Sequence, residues 1–140
     1  MLYLDTSLLV AALTSEMKTA RVQAWLGNQE PDELAISEWV VTEFSAALSI
    51  KLRTQQVEAD DRADALARFA VWCAESLAIL PISGLHFRTA ARFADQHALG
   101  LRAGDALHLA ISADHGATLC TLDRRQSEAG STLGVRTALF

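Results

Sequence analysis

Apolar residues fall into two alternating patterns along the chain. Short continuous runs are followed by longer segments in which apolar positions recur every three or four residues. Leu2-Tyr3-Leu4 is the first such run, and it meets Asp5-Thr6-Ser7, a polar stop suited to a helix start. The pattern predicts a strand, a turn and a helix over residues 8–13, then a second short helix over 17–27. Residues 28–32 are polar, include Pro31 and read as a loop. Leu34-Ala35-Ile36 predicts a strand, with Ser37 as N-cap of a helix from Glu38 to about Arg53. A helix over 55–76 follows, with Ala63, Leu66, Ala70, Cys73 and Leu77 as its apolar seam. Residues 77–82 predict a strand closed by Pro81, and Ser83 is expected to cap a helix reaching about His97. A helix over 104–115 ends at Gly116. Residues 118–122 form a β-rich run, a short helix reaches about Leu133, and 135–138 predict a last strand.

The resulting order is β-α-α-β-α-α-β-α-α-β-α-β. Strands alternating with helices predict an α/β fold with a central parallel sheet and helices on both faces, a three-layer arrangement. A length of 140 residues with 51% apolar content, 7 glycines and 2 prolines excludes disordered, collagen-like and disulfide-scaffold classes. It predicts a single domain over 1–140. The two isolated cysteines, Cys73 and Cys120, suit a reducing, cytoplasmic setting and offer no Cys-based zinc site. No signal-peptide pattern and no run long enough to span a bilayer is visible. The sum of 12 basic and 17 acidic residues, net −5, argues at first against holding nucleic acid by bulk positive charge.

Placement of the acids changes that picture. Asp5 and Asp123 each close a predicted strand, and ligands of open α/β sheets sit beyond the carboxyl ends of strands. Each also precedes a helix and is open to a plain N-cap role. Glu43 shares a helix face with Trp39, Val40, Ala47 and Ile50, so its charge needs a partner; an ion pair with Arg21 or Arg102 is one alternative. Asp105 follows Gly104 at a helix start, one turn from His108, which is placed to hydrogen-bond it. Four carboxylates in one crevice require counter-charge. An all-oxygen donor set suits Mg²⁺ or Mn²⁺ and not Zn²⁺, and such a site suits phosphoryl chemistry.

Asp5-Thr6-Ser7, Thr42-Glu43, Gly104-Asp105-Ala106-Leu107 and Thr121-Leu122-Asp123, in this order and spacing, resemble the PIN-domain nucleases, and within them the VapC toxins of toxin–antitoxin pairs. The resemblance implies that Asp5, Glu43, Asp105 and Asp123 are catalytic and hold one or two Mg²⁺ or Mn²⁺ ions. It implies that Thr121 lines the same site, with Thr6 or Ser7 supporting Asp5. It further implies hydrolysis of RNA phosphodiesters to a 3′-hydroxyl and a 5′-phosphate, a homodimer, and inhibition by a cognate VapB-like antitoxin. An aromatic is common three residues after the last acid of this pattern. Here Asp123 is followed by Arg124-Arg125-Gln126, which opens the question of what packs behind that loop and suggests Arg124 or Arg125 as phosphate contacts beside Arg102, with two solvated arginines as the alternative.

Two other classes stay open: a non-catalytic PIN-like module that binds a protein partner, and a small Mg-dependent phosphatase. The remaining histidines, His86, His97 and His115, read as packing or surface residues. Trp25, Trp39 and Trp72 read as core or subunit-interface residues. Arg88, Arg92 and Arg102 form a loose basic segment, equally consistent with an RNA path and a solvated face.

Overall fold

A computed structural model describes residues 1–140, and its elements follow the predicted order. The first half carries β1 (Leu2–Leu4), α1 (Thr6–Leu13), α2 (Thr19–Leu26), β2 (Leu34–Ser37), α3 (Glu38–Arg53) and α4 (Ala59–Glu75). The second half carries β3 (Ala78–Leu80), α5 (Gly84–Ala94), α6 (Ala103–Asp114), β4 (Thr118–Thr121), α7 (Arg124–Thr132) and β5 (Thr137–Leu139). Two short 3₁₀ turns, Pro31–Glu33 and His97–Leu99, lie between them.

The five strands form one parallel sheet in the order β3-β2-β1-β4-β5. β1 is central, and Tyr3 and Leu4 are fully buried. Cover on both faces is why this strand is an unbroken apolar run and does not alternate with polar residues. The chain leaves β1 toward β2 on one side and pairs β1 with β4 on the other. A crevice therefore opens beyond the carboxyl ends of β1 and β4, the point where strand order reverses.

Where boundaries differ from the sequence pattern, local chemistry explains the shift. The predicted helix over 55–76 begins only at Ala59, because Gln55 adopts a left-handed conformation (φ 58°) just past the end of α3. The strand expected over 77–82 shrinks to Ala78–Leu80. The Leu77 amide still bonds the Trp72 carbonyl at the end of α4, and Pro81 has no amide to give the sheet. The helix expected to reach His97 stops at Ala94, and Gly100 (φ 62°) turns the chain into the segment before α6. Val135 is not in the last strand; its amide bonds the Gly130 carbonyl and completes the turn after α7.

Two expectations about side chains are corrected. The seam of α4 is rotated: Ala63 and Ala70 are exposed, while Ala65 and Phe69 are buried. Phe69 meets Phe44 of α3 with ring centroids 4.2 Å apart, and burying that aromatic area outweighs burying two alanines. Ser37 makes no side-chain cap for α3; its hydroxyl lies 2.7 Å from the Tyr3 hydroxyl inside the sheet.

Gly130 of α7 packs directly under β5. A Cβ there would lie 2.5 Å from Thr137 Cγ2 and 2.8 Å from Leu109 Cδ2. Alanine in a helix interior gains up to about 1 kcal/mol over glycine. Overpacking a buried site costs about 1–3 kcal/mol and should win here. Gly130→Ala is expected to lower stability by about 1 kcal/mol in urea unfolding; a more stable variant would contradict this packing.

Candidate metal centre

Three of the four acids are set by helix starts. Asp5 caps α1, its Oδ1 accepting from the Leu8 amide (3.0 Å) and the Ser7 hydroxyl (2.7 Å). Its Oδ2 accepts from Thr121 Oγ1 at 2.6 Å. Asp123 caps α7, its Oδ1 accepting from the amides of Arg125 (2.8 Å) and Gln126 (3.2 Å). Asp105 reaches back so that Oδ2 accepts from the Arg102 amide at 3.1 Å. Capping and site formation are thus compatible: each cap uses one oxygen of Asp105 and Asp123, and the other oxygen receives no hydrogen bond from the protein.

Glu43 comes from the middle of α3 and is held by side chains. Its Oε2 accepts from Thr6 Oγ1 at 2.6 Å and lies 2.7 Å from His108 Nε2. Its partner is therefore neither Arg21 nor Arg102. His108 does not hydrogen-bond Asp105 either, and Thr6 serves Glu43, leaving Ser7 and Thr121 to hold Asp5. Burial raises the proton affinity of Glu43, but the His108 hydrogen bond and charge and the Thr6 hydroxyl outweigh it, so its pKa falls below the usual range. The buried Trp39 indole N–H faces the same carboxylate without the alignment of a regular hydrogen bond and lowers it further. Gly104 leaves room for this carboxylate: a Cβ at that position would stand 2.5 Å from Glu43 Oε1 and push it from its place.

Behind Glu43 runs a buried polar chain. His108 Nδ1 lies 3.0 Å from the Tyr3 hydroxyl, which in turn lies 2.7 Å from Ser37 Oγ. With a neutral ring, donation runs in one direction, Ser37 to Tyr3 to His108 to Glu43; with a charged ring, His108 donates from both nitrogens, to Tyr3 and to Glu43, and either arrangement satisfies every member. Burial, chiefly, raises the Tyr3 pKa well above its usual value, so the phenol stays protonated.

Asp5 shows the opposite balance to Glu43. At 3% exposure, burial pushes its pKa up more than His108, Thr121, Ser7 and the Leu8 amide pull it down. All four acids, with Arg102, His108 and Gln126, line one open crevice of about 610 Å³. No three of the four acids bring an oxygen each within 4.8 Å of one another. They face a common space but stand apart. Unpaired hard oxygens around a buried carboxylate fit a divalent ion of the Mg²⁺ or Mn²⁺ type.

The sequence matches the model of the PIN domain family over residues 2–131. The chain belongs to the PIN domain family. No curated protein matches it by sequence. Among solved structures, its fold is similar to FitAcB from Neisseria gonorrhoeae at 22% identity and TM-score 0.75, covering 98% of this chain and 96% of that one. It is also similar to VapC20 of Mycobacterium tuberculosis, a toxin that cleaves the sarcin–ricin loop, at 16% identity and TM-score 0.76, covering 93% and 95%. VapBC2 from Rickettsia felis, bound to a promoter DNA fragment, matches at 17% identity and TM-score 0.65, covering 100% and 99%.

In this PIN domain the loop behind Asp123 is filled by Gln126. The side chain is 1% exposed and spans Thr121 Oγ1 (2.9 Å) and the Asp105 carbonyl (3.5 Å). A buried amide thus takes the place of an aromatic and ties the loop of Asp123 to the start of α6. Of the three candidate arginines, Arg102 lines the crevice, Arg125 turns its guanidinium to the Gly100 carbonyl (3.3 Å), and Arg124 is exposed. The sequence pattern does not mark Tyr3, Ser37 and Gln126 as site residues. The signal each leaves in the sequence is a polar group inside a strand or on a helix next to an acid.

The buried charge of Asp5 makes a stability prediction. Its folded pKa is raised, so the penalty is absent below the unfolded carboxylate range, near pH 4, and grows as pH rises. Asp5→Asn keeps the Ser7 and Leu8 bonds and can donate to Thr121. Without metal, the variant is expected to melt at a higher temperature than the parent at neutral pH and to match it near pH 4. A lower melting temperature at neutral pH would contradict this account.

Proposed function

We propose that this PIN domain is a Mg²⁺- or Mn²⁺-dependent endoribonuclease acting as the toxin of a toxin–antitoxin pair. The carrying observation is the convergence of Asp5, Glu43, Asp105 and Asp123, from four separate elements, on one crevice with oxygens left free. Similarity of fold to VapC20 and to toxin proteins solved in FitAB and VapBC complexes supports RNA as substrate and a VapB-like antitoxin as partner. A homodimer is part of the same reading. No helix is long and apolar enough to cross a membrane, and a cytoplasmic site of action is consistent with that.

Asp5, Asp105 and Asp123 are the residues that would hold the ion, with Glu43 completing the set. A divalent cation there supplies charge to offset the scissile phosphoryl group and acidity to activate water. The protein's own part is positioning. Thr121, Ser7 and the Leu8 amide fix both oxygens of Asp5, so it cannot rotate away from the crevice. His108 and Thr6 keep Glu43 ionised and aimed. Arg102 stands at the crevice wall, where its guanidinium can grip a backbone phosphate.

Purified protein is expected to cut single-stranded or loop RNA with Mg²⁺ or Mn²⁺ and to stop when the metal is chelated, leaving 5′-phosphate ends. Asp5→Asn and Asp105→Asn should each lower the rate at least about 100-fold. Cleavage unchanged in both variants overturns the proposed site. A stable antitoxin complex with no cleavage at millimolar metal would instead favour a non-catalytic module, and turnover of a phosphomonoester with indifference to RNA would favour a phosphatase.

A further inference from the structure

His86, Asp114 and His115 lie outside the machinery described so far. His86 is the third residue of α5, Asp114 ends α6, and His115 caps it. Asp105 sits near the other end of α6, nine residues from Asp114, or about 13 Å along the helix. One ligand atom from each of the three residues lies within 4.8 Å of the other two. His86 Nε2 and Asp114 Oδ2 are already 3.0 Å apart, and the two imidazole centroids are 6.0 Å apart. Two imidazoles on one tetrahedral ion have centroids roughly 5 Å apart and ligand atoms roughly 3.3 Å apart. Closing the group needs a shift of about 1 Å by His115, at the end of its helix, in the same geometric terms.

The bonding of the three groups is uneven. His115 Nε2 is buried and has no hydrogen-bond partner, a desolvation cost that nothing in the fold offsets. His86 is 5% exposed, so its ring is held in place, while Asp114 opens to solvent on one side. Buried imidazole nitrogen beside a carboxylate, with a route in, is the donor set of a borderline transition ion and not of Mg²⁺. We propose that His86, Asp114 and His115 form a second cation site, selective for Zn²⁺-type ions, that clamps α5 to the C-terminal end of α6.

The proton count is settled by the His86 ring. Nδ1 accepts from the Ser83 amide at 3.0 Å, so the neutral ring carries its proton on Nε2 and gives it to Asp114. An ion bound at Nε2 moves that proton to Nδ1. The Ser83 amide then loses its acceptor, and Nδ1–H turns to Ser83 Oγ, 3.5 Å away. Binding at this site therefore releases no proton from His86 and exchanges its Ser83 amide contact for one to the Ser83 hydroxyl.

Zn²⁺ titration by calorimetry, with millimolar Mg²⁺ present to occupy the carboxylate crevice, tests the proposal. One equivalent is expected to bind with micromolar or tighter affinity and to raise the melting temperature. His115→Ala and Asp114→Asn, both at the solvent-facing end of a helix, should each weaken binding at least about tenfold, and Asp105→Asn should leave it unchanged. In nitrogen-15 spectra His86 should switch its protonated nitrogen from Nε2 to Nδ1 on adding Zn²⁺. No Zn²⁺ equivalent in the presence of Mg²⁺, equal affinity in His115→Ala, or loss in Asp105→Asn alone would overturn it.

Discussion

A carboxylate at the end of the central strand, only 3% exposed and in no ion pair with Lys or Arg, constrains everything around it. Asp5 is tolerated because its two oxygens receive one backbone amide and two hydroxyls. Those donors come from α1 and from β4, so the charge also ties the first strand's end to the fourth strand's end. The same hydroxyls reach further: Ser7 accepts from the Leu122 amide and Thr121 accepts from the Asp123 amide. One buried charge thus shapes both sides of the crevice and sets the backbone path into α7.

The fold divides its acids by how they are compensated. Asp5, Asp105 and Asp123 are held by helix-start amides, which contribute partial positive charge without filling the crevice. Glu43 alone has a titratable partner, His108, which is itself supported by Tyr3 and Ser37. This arrangement keeps Glu43 ionised while Asp5 is left short of counter-charge, an imbalance that a divalent ion would resolve. It also reinterprets the net charge of −5. With Asp5, Glu43, Asp105 and Asp123 set aside from the 17 acids, 13 remain against 12 basic residues, a balance of −1. The excess acidity is mostly the site.

Element order, the parallel sheet and the four acids were legible in the sequence because each leaves a local mark: an apolar run, a cap, a carboxylate on an apolar stripe. What could not be read was pairing between distant polar groups. Ser37 looks like an N-cap and is a partner of Tyr3, because a strand neighbour 34 residues away offers a buried hydroxyl. His108 looks one turn from Asp105 and instead reaches Glu43 across 65 residues. Gln126 occupies an expected aromatic position and works as a hydrogen-bonding strut, which no periodicity reveals. The rotated seam of α4 has the same origin, since the Phe44–Phe69 contact is decided by α3 and not by α4 alone.

Anomalous diffraction from crystals equilibrated with Mn²⁺ tests the central claim most directly. The account predicts a peak in the crevice within coordination distance of Asp5, Asp105 and Asp123, with Asp5 Oδ2 or Oδ1 ligating and Thr121 and Ser7 still bound to that carboxyl. A crevice without Mn²⁺ at millimolar concentration, its four acids unmoved, would contradict it.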